Sequence, residues 1–238
     1  MYKQGQESSI LASQIIAQEL MQQLKYKKIK SIIWDWNGTL LNDAEICIYS
    51  MNKVLERRGL ARLDMKRYRE IFTFPVKAYY QKAGFDFSEE DFEKPAMEFI
   101  KQYYENLPRA DLFGPVPSML KELSNKGYHQ SILSAMEHDS LLQSLTDKNV
   151  LNHFDIVSGI NDHYANSKLD IGIELLKKTG FSKNETLFIG DTLHDFEVGS
   201  ELGIKVLLIA NGHQSKERLL SKTPNVVNDI TDVLRFLD

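Results

Sequence analysis

The sequence predicts a doubly wound parallel α/β sheet of the Rossmann-like type, with an all-α domain inserted after the first strand. Two observations support this fold class. Short apolar runs alternate with helical patterns along most of the chain, and one entirely helical stretch interrupts that alternation. Parallel neighbours need a crossover connection, which is usually a helix, so the alternation predicts parallel strands.

Six short apolar runs have the length expected of buried strands: 31–34, 130–133, 154–157, 186–189, 206–209 and, more weakly, 225–227. Helical patterns lie between and after them, at 115–126, 137–148, 167–179, 194–202 and 229–237. Gly127, Gly180 and Gly203 stand where helix C-caps are expected. The first strand ends at Asn37-Gly38, a strong turn signal.

The inserted segment is rich in aromatic residues and reads as helix throughout, at 43–58, 64–72, 76–83 and 88–106. It is too long for a single crossover. We therefore expect an α/β core at 29–43 and 111–238, and a helical domain at 44–110 whose aromatic residues mostly form its own core.

The N-terminal residues 1–28 have the pattern of an amphipathic helix. Apolar residues recur there at helical spacing, at Ile16, Ala17, Leu20, Met21 and Leu24. Glutamines interrupt the run, so it lacks the continuous apolar core of a signal peptide. The helix either packs on its own domain or forms a dimer contact, and both a monomer and a homodimer remain open.

Composition excludes several classes of protein. The 238 residues carry 29 basic and 33 acidic side chains, for a net charge of −4, so no basic excess suggests a nucleic-acid partner. No stretch approaches the roughly 18 apolar residues of a membrane span. The single cysteine, Cys47, cannot form an intrachain disulfide, and this fits a reducing compartment. We expect a cytoplasmic protein without a membrane partner.

Polar residues follow the predicted strands at the sheet edge where open α/β folds bind ligands. They are Asp35, Asn37 and Thr39 after the first strand, Ser134 after the second, Lys168 after a longer loop that follows the third, and Asp191, Thr192 and Asp195 after the fourth. A single aspartate is usually a surface or cap residue, so their joint placement carries the information.

This set of side chains suggests phosphoryl transfer. Clustered carboxylates repel one another without a cation, and two carboxylates with a phosphate suit Mg²⁺. Lys168 can pair with a phosphate, while Ser134 and Thr39 can hydrogen-bond its oxygens. A covalent aspartyl phosphate is one route for such a reaction.

With these residues the chain resembles the haloacid dehalogenase-like superfamily, in its phosphoglycolate-phosphatase-like branch. The matching pieces are Asp35-Trp36-Asn37-Gly38-Thr39-Leu40-Leu41, then Ser134, Lys168 and Gly190-Asp191-Thr192-Leu193-His194-Asp195, in the family's order between about 29 and 212. The run 112–116 resembles the hinge at which the chain returns from the family's helical cap. The dehalogenases of the family fit poorly, because they need no metal, whereas this chain has both Asp191 and Asp195.

The resemblance implies a Mg²⁺-dependent phosphatase acting on a small phosphorylated metabolite, with phosphoglycolate among the candidates. Asp35 would be the nucleophile and, with the backbone carbonyl of Asn37 and with Asp191, a metal ligand. Asp195 is counted with the metal site, where it would orient metal-bound water or support the loop. Ser134 and Thr39 would bind the phosphoryl group, Lys168 would neutralise it together with Asp35, and the inserted helices would form a mobile cap. A mutase or a phosphonate hydrolase, which use the same scaffold, stay open.

Asn37 departs from the family pattern. Phosphatases of the family usually have an aspartate there, which protonates the leaving oxygen and later activates water. An amide can do neither at neutral pH, and losing a general acid costs about 10²–10⁴-fold in rate. The alternative function is therefore a phosphate-binding or regulatory protein with weakened catalysis.

Weaker candidates lie around these motifs. His194 adjoins Asp195, and His213 follows the fifth strand at the same edge. Four basic residues in or near the helical insertion could hold a substrate carboxylate, although exposed surface is the simpler interpretation: Arg57, Arg58, Lys77 and Arg109.

Overall fold

A six-stranded parallel sheet forms the centre of the fold in a computed structural model, which describes residues 26–160 and 167–237. The strands are β1 Ser31–Trp34, β2 Leu41–Asn42, β3 Asp111–Leu112, β4 His129–Glu137, β5 Ile156–Ile160, β6 Thr186–Gly190, β7 Lys205–Ile209 and β8 Val226–Val227. Their order in the sheet is β5-β4-β1-β6-β7-β8, with every pair parallel. The predicted fold class is confirmed.

Ten helices occur among the described residues: α1 Ala44–Glu56, α2 Met65–Ile71, α3 Val76–Ala83, α4 Glu93–Asn106, α5 Val116–Asn125, α6 His138–Asp147, α7 Lys168–Thr179, α8 Leu193–Leu202, α9 Lys216–Leu220 and α10 Leu234–Leu237. In the same part of the chain, no helix combines the length and apolar character needed to cross a bilayer. The predicted N-terminal helix lies outside the described residues.

Both faces of the sheet are buried, as a doubly wound sheet requires. Along β1, Ile32 and Trp34 join the largest core cluster, whereas Ile33 joins a second cluster on the opposite face with Leu133 and Phe188. All four residues of β1 are inaccessible to solvent. This strand therefore holds the loop that follows it in a fixed position.

Helices α1 to α4, here called the inserted helices, have an apolar cluster of their own that includes Met51, Leu55, Tyr68 and Tyr80. The chain enters and leaves them through β2 and β3, which pair antiparallel at Leu41–Leu112 and Asn42–Asp111. This pair lies beside the predicted domain boundaries at 43/44 and 110/111, and the division into domains stays a prediction.

Several element boundaries differ from the prediction. The helix expected at 88–106 begins at Glu93, because Pro95 lacks an N–H and suits the first helical turn. The helix expected at 229–237 is a 3₁₀ turn, Ile230–Asp232, followed by the short α10. The Asp229 side chain accepts a hydrogen bond from the Thr231 amide, which favours that turn. Helix α9 was not predicted.

Candidate active site

The loop after β1 carries Asp35 and is tightly closed. The Asp35 amide continues the ladder to β6 by donating to the Ile189 carbonyl at 2.8 Å. The Trp36 carbonyl then accepts from the amides of Thr39, Leu40 and Leu41 at 3.0–3.3 Å. This turn fixes the Asp35 carboxylate at the carboxyl end of the sheet, where the sequence predicts the site.

Gly38 is required in that loop on two grounds. Its φ of +76° is in the left-handed region, which L side chains rarely adopt. A Cβ at this position would also overlap the Asp191 carboxylate and the His213 ring. The backbone of the loop thus packs directly against the residues of the site.

Lys168 joins two of the predicted carboxylates. Its Nζ lies 2.5 Å from Asp35 Oδ1 and 2.6 Å from Asp195 Oδ1, and all three side chains are at most 8% exposed. Lys168 begins α7, whose N-terminus is capped by Ser167 and Asp170. The cap holds the first turn of the helix, so the ammonium group is aimed at the nucleophile candidate.

Asp191 completes a cluster of three acidic residues. Ligand oxygens of Asp35, Asp191 and Asp195 all lie within 4.8 Å of one another. Thr39 Oγ1 lies 3.1 Å from Asp35 Oδ2 and 3.3 Å from Asp191 Oδ1, and the His213 amide donates to Asp191 Oδ2 at 2.5 Å. A buried set of hard oxygen donors fits a hard divalent cation such as Mg²⁺.

Asp195 differs from the other two in its contacts. Its Oδ2 accepts hydrogen bonds from the Thr192 hydroxyl at 2.7 Å and from the Thr192 amide at 3.0 Å, while Oδ1 contacts Lys168. Both oxygens are thus engaged by the protein. These contacts favour the loop-supporting role, and direct metal ligation by Asp195 stays a prediction.

Burial and mutual repulsion shift the acidities of this cluster. Burial, reinforced by Asp195 but opposed by Lys168, raises the pKa of Asp35 to about 6. Burial, with the charges of Asp35 and Asp195, raises the pKa of Asp191 to about 8, against the lowering effect of His213. Although burial acts to lower the pKa of Lys168, the two carboxylates raise it above its usual value. Burial and the neighbouring charges therefore favour the protonated form of these two carboxyl groups.

We expect the affinity for Mg²⁺ to fall as the pH falls from 8 to 6. Below the Asp191 pKa of about 8 a proton competes with the metal for the carboxylate, so binding must release that proton. The dissociation constant should rise about tenfold or more across this range. Calorimetric titration with Mg²⁺ at pH 6, 7 and 8 measures it. Equal affinities at the two extremes would contradict the assignment of Asp191 as a ligand.

Ser134 was expected after the second strand, but β4 continues to Glu137, so Ser134 lies within the strand and is buried. Its Oγ accepts a hydrogen bond from the Met136 amide at 3.1 Å, and it lines the cavity above Asp35 together with Lys168 and Asp191. The hydroxyl proton is left available for another acceptor. The structure thus brings the predicted residues together at one site, with Asn37 also lining the cavity.

The Asn37 side chain contacts Asp43, a residue that sequence analysis missed. Its amide donates to Asp43 Oδ2 at 3.0 Å and to the Tyr103 hydroxyl at 2.7 Å, and Tyr103 itself donates to the same carboxylate oxygen at 2.7 Å. Asp43 Oδ1 accepts from the Gly38 amide at 2.9 Å. The side-chain amide of Asn37 therefore donates hydrogen bonds that hold the loop after β1 against Asp43 and Tyr103.

His213 is the cationic partner of Asp43. Its Nε2 lies 3.3 Å from Asp43 Oδ1, and its Nδ1 is 2.9 Å from the Tyr68 hydroxyl. Burial acts to lower the pKa of His213, but Asp43 and Asp191 raise it to about 9. The pKa of Asp43 is lowered because this pairing and its hydrogen bonds outweigh burial. His213 belongs to the site, as one of the weaker sequence candidates.

The inserted helices contact the core beside this pair. Arg69 donates to the carbonyls of Gly212 at 2.9 Å and Asn211 at 2.6 Å. In return, Gln214 Nε2 and Arg218 Nη1 donate to the Phe72 carbonyl at 3.0 and 2.6 Å. No motif marks these residues, because the bonds use backbone acceptors more than 140 positions away.

A cavity of about 530 Å³ lies between the inserted helices and the core. Asp35, Lys168 and Asp191 line it on the side of the sheet, and Phe72, Phe74, Tyr79, Tyr80, Phe99, Tyr103 and Tyr104 supply aromatic rings on the side of the inserted helices. The His194 ring, another weaker candidate, also lines the cavity and stacks on Phe74 at 4.5 Å between centroids. The volume lies within the range of small-molecule sites.

The basic residues considered for a substrate carboxylate lie elsewhere. Arg58 binds Glu90 and Glu98, and Arg57 binds Glu98. Lys77 and Arg109 lie over the rings of Phe87 and Tyr49. None of the four belongs to the described residues that line the cavity. Arg57, Lys77 and Arg109 are exposed, which fits the surface interpretation, whereas Arg58 is half-buried in its ion pairs.

Comparison with known proteins agrees with this geometry. A protein-family model described as haloacid dehalogenase-like hydrolase matches residues 32–209. A phosphoglycolate phosphatase of Aquifex aeolicus is 24% identical over 214 residues, which is 88% of this chain and 97% of the relative. An N-acetylmuramic acid 6-phosphate phosphatase of Pseudomonas aeruginosa is 25% identical over 196 residues, or 80% and 85% of the two chains.

Solved structures show the same fold. A haloacid dehalogenase-like family hydrolase from Streptococcus pneumoniae superposes with a TM-score of 0.77 at 22% identity. The match covers 89% of this chain and 99% of that protein. At this level of identity the likeness concerns the fold, and the chemistry rests on the residues of the site.

Proposed function

The chain belongs to the haloacid dehalogenase-like hydrolases, and we propose that it is a Mg²⁺-dependent phosphatase that hydrolyses a small phosphate monoester through an aspartyl phosphate on Asp35. Within the family it falls in the phosphoglycolate-phosphatase-like branch, and it is an enzyme of the phosphatase class.

The observation that carries the proposal is the buried arrangement of Asp35, Lys168 and Asp191 on one wall of the cavity. A carboxylate held against an ammonium group in a site shielded from water can attack an electrophile without first being desolvated. A purely structural ion pair has no need of a third carboxylate or of a cavity above it. The arrangement therefore favours chemistry over support of the fold.

The side chains divide the work of phosphoryl transfer. Asp35 attacks phosphorus and the bond to the leaving oxygen breaks, with the proton of the released alcohol coming from water because Asn37 supplies none. Water then attacks the aspartyl phosphate, which releases inorganic phosphate and restores the Asp35 carboxyl group. Lys168 contacts Asp35 and neutralises charge on the transferred group, while Thr39 and Ser134 hydrogen-bond its oxygens. The inserted helices exclude bulk water from the cavity.

Asp35, Asp191 and the backbone carbonyl of Asn37 would hold the metal, with Asp195 as the supporting carboxylate. When bound, Mg²⁺ offsets the negative charge of the carboxylates and of the phosphate. The need for such a cation is supported by the raised pKa values of Asp35 and Asp191, which reflect burial first and then repulsion among the neighbouring carboxylates. The single positive charge of Lys168 is divided between Asp35 and Asp195 and cannot neutralise all three carboxylates.

The relatives support a phosphorylated substrate. Their names include phosphoglycolate phosphatase, N-acetylmuramic acid 6-phosphate phosphatase, 5'-nucleotidase and pyrophosphatase, so they agree on a phosphate group and differ in what carries it. By relationship alone, phosphoglycolate is accordingly one candidate substrate for this chain.

One observation favours a second candidate function, a phosphate-binding or regulatory protein with weak catalysis. Asn37 supplies no acid for the leaving oxygen, and its amide is committed to Asp43 and Tyr103. Binding of phosphate and metal would survive this loss, whereas hydrolysis of poor leaving groups would not.

Hydrolysis of p-nitrophenyl phosphate separates the two candidates, because its leaving group needs little help from an acid. We expect turnover in the presence of Mg²⁺, loss of turnover in EDTA, and recovery when Mg²⁺ is added back. Full activity in EDTA would overturn the metal requirement. Binding of phosphate and Mg²⁺ without turnover would favour the regulatory protein.

A further inference from the structure

The cavity above Asp35 is larger and more apolar than a two-carbon leaving group requires. Its volume is about 530 Å³, and seven aromatic side chains from the inserted helices and their loops line it. Aromatic rings in a cavity favour flat ligands, because offset and edge-to-face contacts add to the burial of apolar surface. The lining therefore favours a flat, apolar leaving group.

The mouth of the cavity is apolar as well. Val76, Ile100 and Tyr104 line the cavity and are 37–43% exposed to solvent. Helix α4 supplies Ile100 and Tyr104. Pro95 is the only buried residue of this helix, so most of its surface is at least partly open to solvent. Apolar side chains that are exposed together beside a cavity mark a surface for a ligand.

The cavity offers no free cation for a substrate carboxylate. Lys168, His194 and His213 are the described lining residues that can carry positive charge, and no arginine is among them. Lys168 is bound to two carboxylates, His213 to Asp43 and Tyr68, and the His194 ring stacks on Phe74. A second anionic group on the substrate would be buried without a partner, which is costly.

The charge that does face this region is negative. Glu137 lines the cavity with its carboxylate held by the backbone amides of Asp139 and Ser140 at 2.9 and 2.8 Å. A fixed carboxylate there repels an anionic leaving group and does not disturb an uncharged one.

Resting on the proposed phosphatase function, we propose that the substrate is a phosphate monoester whose leaving group is an uncharged aromatic alcohol. The phosphate lies against Asp35 and Lys168, and the ring lies among the aromatic side chains of Phe72, Phe74, Phe99 and Tyr104. Phosphoglycolate, with its carboxylate and two-carbon chain, fills neither the volume nor the aromatic surface.

The test compares three phosphates with primary alkyl leaving oxygens as competitors of p-nitrophenyl phosphate hydrolysis: benzyl phosphate, phosphoglycolate and phosphocholine. Matched leaving oxygens separate recognition from chemical reactivity. We expect benzyl phosphate to have an inhibition constant about tenfold lower than that of phosphoglycolate. A lower inhibition constant for phosphoglycolate than for benzyl phosphate would overturn the inference. A lower constant for phosphocholine would also overturn it, because it would mean that the rings recognise a cation.

A charge placed at the mouth provides a second readout. Ile100→Arg supplies the missing cation and should strengthen competition by phosphoglycolate and weaken that by benzyl phosphate. Met97→Arg is the matched control, because Met97 is on the same helix, is 63% exposed and does not line the cavity. The control should change neither constant. Equal responses of both variants would contradict the proposed position of the ring.

The failure of this inference differs from failure of the proposed function. If neither p-nitrophenyl phosphate nor acetyl phosphate is hydrolysed with Mg²⁺, the phosphatase proposal fails. Calorimetric titration of the Mg²⁺-loaded protein with the same three phosphates then decides the order of affinity by itself. If both reporters are hydrolysed but phosphoglycolate competes best, the phosphatase stands and the aromatic substrate is wrong.

Discussion

Asp35→Asn is expected to abolish turnover of p-nitrophenyl phosphate, by roughly 10³-fold or more, while the protein stays folded. The amide keeps the shape of the carboxylate but cannot attack phosphorus. Lys168 retains its contact with Asp195 at 2.6 Å, so its charge does not become unpaired. Initial rates with saturating Mg²⁺ and a thermal unfolding curve measure the two effects.

The control for this variant is Asp147→Asn, which removes an exposed aspartate from the end of α6. Its rate should equal that of the unaltered protein. Rapid acid quench gives an independent check, since the unaltered protein should hold phosphate covalently during turnover and Asp35→Asn should not. A variant that keeps a tenth of the rate would mean that water attacks the substrate directly.

Asn37→Asp is expected to raise hydrolysis of alkyl phosphates by about 10²-fold, the effect of supplying a general acid. The new carboxyl would lie about where the amide now sits, 3.0 Å from Asp43 Oδ2. Two carboxylates so close share a proton, which raises the apparent pKa of the pair toward neutrality, as a general acid requires. Relative rates on benzyl and p-nitrophenyl phosphate measure the gain.

The same variant should show a pH-dependent loss of stability. A carboxyl whose pKa is raised in the folded state stabilises below its unfolded pKa, and this contribution is lost as the pH rises through the folded value. Asn37→Asp should therefore unfold more readily at pH 8 than at pH 5, relative to the unaltered protein. Asn37→Ala breaks the same contacts without adding an acid and should not accelerate alkyl esters. Acceleration by Asn37→Ala would show that Asn37 does not limit proton transfer.

The positions of Asp35, Lys168 and Asp191 could be predicted because topology determines them. Each follows or approaches the carboxyl end of a strand, and parallel strands bring those ends to one edge. Apolar patterns also predicted β1, β6 and β7 to within one residue, since these strands are short and buried on both faces. Local sequence carries that information.

The role of Asp43 could not be predicted in this way. Its partner Tyr103 is 60 positions away on α4, and His213 follows β7, so only tertiary packing brings them together. The contacts of Arg69 escape sequence analysis for the same reason, because they use backbone carbonyls that no residue type marks. Asn37 was recognised as unusual, but its partner was not.

The contact between the inserted helices and the core allows substrate selectivity to change without loss of that contact. Gln214 and Arg218 both bind the carbonyl of Phe72, whereas the ring of Phe72 lines the cavity. A backbone carbonyl persists whatever side chain the position carries. Mutations at residue 72 can therefore change which substrates are accepted while the two halves of the site stay joined. The side chain of residue 72 thus affects substrate selectivity, while its backbone carbonyl holds the inserted helices against the core.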